Sequence, residues 1–361
     1  MYVCESCGRE YDLTADAPWR CACGHALDFA DPSLPDRDTP PDSLDRDRGL
    51  WAFADFLPVD GLVTLGEGWT PLVDAPEWDA TFKLESLFPT GSFKDRGAAV
   101  TLSLADALGV ERVVEDSSGN AGHAVATYAA RAGIDADVYV PADAKPKKIE
   151  AIERTGATAV QVEGDRQAVT DACVDAVESD DSGWYASHAW QPAFFAGTAT
   201  FALELAAQRD WAVPDVVVTP LGHGTLFLGA YRGFRALRDA GWTDRVPRLV
   251  GAQAAGVAPI VAALHGPDAA AGDNDAADGI QITEPARRDQ ILDAIEATGG
   301  DAVAVDAEAT RDALDRLRTH GVGVEPTCAT APAALETLRD RGDIGAAEDV
   351  VVALTGTGLK T

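Results

Sequence analysis

No run in the 361-residue sequence approaches the roughly 20 uninterrupted apolar residues of a membrane helix, so no spanning segment is expected. Its start, MYVCESCGRE, has neither the basic opening nor the apolar stretch of a secretory signal, and a soluble cytoplasmic protein is the expectation. Basic residues are scarce: 29 Lys and Arg face 59 Asp and Glu, the formal charge is -30, and only six of the 29 are lysine. Such a surface repels phosphate backbones and anionic lipid, which argues against nucleic acid or membranes as partners. The acids are scattered through every segment. The excess therefore reads as a solvated, halophilic surface whose self-repulsion is screened in concentrated salt, rather than as an acidic binding face.

Cysteine is also sparse, and its six occurrences do not make a disulfide scaffold in a chain this long. Four of them fall within the first 23 residues, as Cys4-x-x-Cys7 and Cys21-x-Cys23, with Gly24 and His25 following. Two closely spaced thiol pairs let two tight turns grip one tetrahedral zinc ion, so residues 1–30 read as a zinc ribbon. Four sulfur ligands leave zinc no open position, which makes the site structural.

Residues 31–47 are rich in Pro and Asp and read as a linker. Beyond them, short β-branched runs alternate with Ala-rich helical stretches. Strands are expected at 112–115, 137–140, 159–162, 215–220, 248–253, 302–305 and 349–354, with helices starting near Asn120 and Pro146. This alternation implies an α/β fold of mainly parallel sheets covered on both faces. The low-complexity stretch 265–279 reads as an exposed loop.

Three segments carry chemistry. In PTGSFKDRG, residues 89–97, Lys94 stands among turn residues ahead of an Ala-rich run, near the positive end of a helix dipole that favours a neutral amine. Asp116-Ser-Ser-Gly-Asn-Ala-Gly122 follows a strand and opens a helix, so its backbone donors and hydroxyls suit an anion, although simple capping by Ser117, Ser118 or Asn120 would look the same. Leu221-Gly-His-Gly-Thr-Leu226 makes a second such loop, too short of glycine for a dinucleotide fingerprint. These two loops and the C-terminal Thr355-Gly-Thr-Gly-Leu-Lys360 all follow strands, where ligands bind in parallel α/β sheets.

The ordered set GEGWTPL, PTGSFKDRG, SSGNAG, PLGHG, VEPTCAT and LTGTGLK resembles the threonine synthase family and its fold-type II pyridoxal-phosphate relatives, across essentially the whole chain. The resemblance implies a tryptophan synthase beta-like fold with two lobes and a zinc ribbon. The large lobe is expected at 48–94 and 190–361 and the small lobe at 95–189, with the cofactor in the cleft and a homodimer possible. It implies that Lys94 holds pyridoxal 5'-phosphate and shuttles the proton at Cα and Cβ of a small amino-acid substrate. Asn120 is then the partner of the cofactor's phenolic oxygen, and Ser117, Ser118 and Gly119 receive the substrate carboxylate. Gly222, His223, Gly224, Thr225 and Leu226 cradle the cofactor phosphate, and Thr355 faces the pyridine nitrogen.

Two departures bear on the substrate. The family segment resembling N-S-x-N-P-x-R-x-x-G-Q-K-T appears here as residues 186–200, ASHAWQPAFFAGTAT, so Phe194 and Ala199 stand where an arginine and a lysine are expected. A dianionic substrate phosphate wants those cations; Arg96, His188 or a nearby lysine are the candidates to replace them. The implied reaction is conversion of O-phosphohomoserine to threonine and phosphate. The alternatives are a dehydratase-like β-elimination or β-replacement on threonine or serine, and a non-catalytic cofactor-binding protein.

Overall fold

A computed structural model describes residues 1–31, 33–60, 63–179 and 183–360. The chain divides into two compact units, one of residues 1–35, 44–67 and 94–198, the other of residues 36–43, 68–93 and 199–361. Among the described residues no helix is long and apolar enough to cross a membrane.

In the first unit the strands Tyr2–Val3, Glu10–Tyr11 and Asp28–Phe29 form a small antiparallel sheet. Its buried core is Tyr2, Cys4, Cys21 and Leu27, with partly buried Tyr11, Leu13, Ala17 and Phe29 packed against it, a small apolar cluster of the kind a metal staple supports. The rest of the unit is built on a four-stranded parallel sheet ordered Thr158–Val162, Asp135–Pro141, Arg112–Glu115, Trp184–Tyr185. Helices Lys94–Ala107, Asn120–Ala132, Pro146–Glu153 and Arg166–Val177 alternate with these strands. Local chemistry sets their ends. Asp165 caps the Arg166 helix by accepting from the Ala168 amide at 3.0 Å, and Gly133, at φ 73°, closes the Asn120 helix in the left-handed conformation that glycine adopts without strain.

Residues 48–67 and 190–198 cluster with this unit. The reason is a shared core. Leu50, Trp51, Ala193 and Phe194 pack with Ala98–Val100, Leu102 and Tyr128, and buried Glu67 accepts from the Tyr128 hydroxyl at 2.9 Å and the Leu65 amide at 2.7 Å.

The second unit has a six-stranded sheet ordered Asp301–Val305, Arg248–Ala254, Val216–Pro220, Val350–Ala353, Ala80–Lys83, Leu72–Ala75. All pairings are parallel except the last, where Leu72–Ala75 runs antiparallel at the edge. The central strands VVVTP and VVVA are buried at every position, as expected of parallel strands covered on both faces. A polar knot lies beside the antiparallel pair. Lys83 and Glu204, both fully buried, form an ion pair. Lys83 also donates to the Thr70 carbonyl and Gln208 at 2.7 Å each, while Glu204 accepts the Trp69 and Thr70 amides at 2.6 and 2.8 Å.

The stretch 265–279 is largely the exposed loop its composition suggests, with short turns and three buried residues, Ala270, Asn274 and Ala277. Asn274 is 2 % exposed and donates to the Val305 carbonyl and the Thr310 hydroxyl, both at 2.8 Å, while accepting from the Ala277 amide at 3.1 Å. One buried amide side chain thus satisfies backbone groups that a loop would otherwise leave to water.

Candidate active site

Each unit carries part of the expected constellation, at the carboxyl ends of its parallel strands. In the first unit the strand Arg112–Glu115 runs into Asp116-Ser-Ser-Gly119, and Asn120 begins the next helix. Its N-cap is Gly119, which has no side chain to cap the helix, so the loop meets the helix start as backbone. Gly122 lets the loop close: a Cβ there would stand 1.8 Å from the Ser117 carbonyl oxygen. Lys94 is the first residue of its helix, and its Nζ lies 5.9 Å from the centre of the Phe194 ring.

Phe194 is fully buried and occupies the place a side chain at residue 97 would take, 2.0 Å from the position of such a Cβ. The same ring meets His188 edge-on at 6.1 Å. The position expected to carry an arginine is therefore apolar packing against the start of the Lys94 helix. His188 does not make up the charge. It is paired with Glu115, Nδ1 to Oε1 at 2.6 Å, and burial together with the positive charge of Lys94 drives its pKa well below the usual histidine range. Arg96 is fully buried as well.

In the second unit the strand Val216–Pro220 leads through Leu221-Gly-His-Gly224 into the helix Thr225–Asp239. Gly224 caps that helix at φ 77°, a conformation that favours glycine, and a Cβ there would meet Ile291 Cδ1 at 2.5 Å. The loop thus presents bare backbone at a helix N-terminus, with Thr225 adding a buried hydroxyl. The strand Val350–Ala353 leads to Thr355, whose carbonyl accepts the Phe93 amide at 3.0 Å. The segment before Lys94 is further held by a bridge between Ser92 and Gly356 and by the Thr357 amide donating to the Gly91 carbonyl at 2.9 Å.

Two features of this half escaped the sequence reading. Cys328 lies 3.3 Å from the Thr355 hydroxyl, donates to the Gly356 carbonyl at 3.2 Å and accepts its amide at 3.0 Å. Burial pushes its thiol up to about 12, so it is a neutral hydrogen-bonding group that orients Thr355 and not a nucleophile. The Ser92 hydroxyl is buried with no hydrogen-bond partner. A glycine cradle at a helix start, an oriented Thr355 and an orphaned Ser92 hydroxyl together fit a small polar aromatic phosphate better than a closed core.

Such loops define a class of enzyme whose cofactor phosphate rests on a helix N-terminus. Residues 63–356 match the family model "Pyridoxal-phosphate dependent enzyme", and the chain belongs to that family. Threonine synthases are among its curated relatives. That of Methanocaldococcus jannaschii is 32% identical, with 99% of this chain and 92% of that protein covered. That of Methanosarcina acetivorans is 36% identical over 86% of this chain and 80% of its own length. Among solved structures, maize serine racemase aligns with a TM-score of 0.67 at 23% identity, covering 80% of this chain and 88% of that one. The serine racemase of Dictyostelium discoideum aligns at 0.67 and 25% identity, covering 80% and 92%. These two show a shared fold. The chain is a pyridoxal-phosphate-dependent enzyme of the threonine synthase kind.

The four N-terminal cysteines come together as their spacing suggests. Their sulfurs all lie within 4.8 Å of one another, with Cys4 to Cys23 at 3.6 Å and Cys7 to Cys21 at 3.5 Å. A tetrahedron of thiolates at the usual zinc distance has edges of about 3.8 Å, so the cluster has the size such an ion needs.

Proposed function

We propose that the chain is a threonine synthase converting O-phosphohomoserine and water to threonine and phosphate. The observation that carries this reading is the match to threonine synthases at 32% and 36% identity over most of the chain. Bound pyridoxal phosphate supplies an electron sink for the pair left at the substrate Cα when its proton departs. Lys94 holds the cofactor, removes that proton and delivers it later in the reaction. Asn120 donates to the cofactor's phenolic oxygen. Gly222, His223, Gly224, Thr225 and Leu226 hold its phosphate through backbone amides and one hydroxyl. Thr355 would hold the ring nitrogen with a hydroxyl in place of a carboxylate, and would so supply a moderated electron sink. Ser117, Ser118 and Gly119 receive the substrate carboxylate.

A second reading, β-elimination on threonine or serine, is favoured by one observation. Neither buried Phe194 nor neutral His188 can balance a substrate phosphate. Incubating the purified protein with O-phosphohomoserine, threonine and serine in turn separates the two. Phosphate with threonine is the expected outcome; a 2-oxo acid from threonine or serine, with no phosphate release, overturns it in favour of the second.

Cys4, Cys7, Cys21 and Cys23 are proposed as ligands of one structural zinc, and the charge of -30 as a halophilic surface of a cytoplasmic protein. Metal analysis is expected to find one zinc per chain, and Cys4→Ser to release it and unfold the ribbon's four-residue core, read as protease cutting within residues 1–35. Four thiols titrating freely in a metal-free native protein would reject the site. The thermal midpoint is expected to rise from dilute to molar salt, as screening relieves self-repulsion.

A further inference from the structure

Two buried titratable groups that no loop above accounts for stand beside Lys94. Glu115 ends the strand Arg112–Glu115 and is fully buried, and His188 follows the strand Trp184–Tyr185 and is 5 % exposed. Those strands are parallel neighbours, Val114 opposite Tyr185, so sheet register alone carries the two residues to the same end. The carboxyl engages His188 twice: Oε1 is 2.6 Å from Nδ1, and Oε2 accepts the His188 backbone N–H at 3.2 Å. The Phe194 ring packs edge-on to the imidazole at 6.1 Å and lies 5.9 Å from Lys94 Nζ. The positive charge of Lys94 acts on both members of the pair.

An ionised glutamate in so dry a place would hold a neighbouring lysine as its ammonium form, which cannot take a proton from substrate. A carboxyl that shares a proton with an imidazole carries no net charge. We propose that Glu115 and His188 form a positioning pair that shares one proton and stays neutral beside Lys94, leaving the lysine amine able to act as base. This rests on the reading of Lys94 as the cofactor-holding base.

Other groups facing the pair are consistent with one bound proton. Burial, the largest effect, pushes Glu115 up to about 8 and drives His188 down, which places the proton on the carboxyl as a donor to Nδ1. Asp116, raised by burial and by Glu115, accepts from Thr170 at 2.8 Å and from the Tyr185 hydroxyl at 3.0 Å. Arg166 opposes protonation of both pair members, and Tyr185 and Cys173 are held in their neutral forms by burial. As pH rises through about 8 the pair loses its proton and becomes an anion that pins Lys94 as ammonium. Turnover therefore falls on the alkaline side.

Glu115→Gln keeps the shape and the hydrogen bond to His188 but has no proton to lose. In the holoenzyme we expect the plateau kcat and KM to stay within about twofold of wild type, and the alkaline limb of the kcat profile to move up by at least one pH unit. An unchanged limb in a variant with native circular dichroism overturns the proposal. NMR of histidine-labelled wild-type holoenzyme tests it without a variant, His188 being assigned through its contact with the Phe194 ring. No imidazolium signal from His188 down to pH 5 is expected; ordinary titration near pH 6.5 overturns the pair. The Lys94 reading fails separately, if the visible cofactor absorbance survives in Lys94→Ala, and that result removes the basis of the pair as well.

Discussion

Lys94→Ala is expected to abolish the visible absorbance that a lysine-held pyridoxal phosphate gives the protein, and to lower turnover by about 10³-fold or more. The size follows from two roles lost at once: the covalent hold on the cofactor and the base at the substrate Cα. Among the chain's six lysines, Lys94 alone is the first residue of a helix, directly after the segment that Thr355 and Gly356 hold in place. A spectrum taken after adding cofactor, beside an assay of phosphate release, checks both roles. Because Ala is a good helix residue and the exchange removes no core side chain, the variant should keep the wild-type thermal midpoint. Loss of absorbance can then be assigned to chemistry and not to unfolding. Retention of the band with wild-type turnover would falsify the central reading.

The largest effect on stability is expected at Lys83. Replacing it with Met leaves the fully buried Glu204 without its cation and close to Glu85, which shares the Thr70 hydroxyl with it. Removing one partner of a buried ion pair costs about 3–5 kcal/mol, because the remaining charge has neither water nor counter-charge. The thermal midpoint should drop by roughly 10 °C. The double variant Lys83→Met, Glu204→Leu should recover much of that loss, since packed apolar side chains need no compensating charge. Equal midpoints for wild type and Lys83→Met, by calorimetry, would show that the pair contributes little.

Much of the fold was legible because parallel strands write themselves as dense β-branched runs. VVVTP and VVVA are such runs, and each is buried at every position. The glycine loop after Val216–Pro220 was legible for a related reason: at Gly224 the backbone passes so close to Ile291, at a positive φ, that glycine is the residue that fits. Less of the surrounding architecture could be read. Residues 48–67 join the first unit through Glu67 and Tyr128, a contact between side chains 61 positions apart that has no periodic signature. Composition marked 265–279 as an exposed loop, but not that one buried asparagine, Asn274, anchors it. Glu115 was read as the end of a strand and His188 as a stand-in cation. That they meet depends on which strands are neighbours, and the order of strands in a sheet is not written in any one of them.

By itself the sequence determined the family's ordered motifs, the lysine at a helix start, the glycine loops after strands and the paired cysteines, because each is a local property of backbone freedom or spacing. Only the tertiary structure decided what surrounds those groups. It put an apolar ring, Phe194, against Gly97 where a cation was expected, tied the Thr355 hydroxyl to the neutral thiol of Cys328, and set Glu115 against His188 beside Lys94. The physical reason is that the charge state of a buried group depends on desolvation and on neighbours distant in the chain, and both exist only once the sheets have assembled.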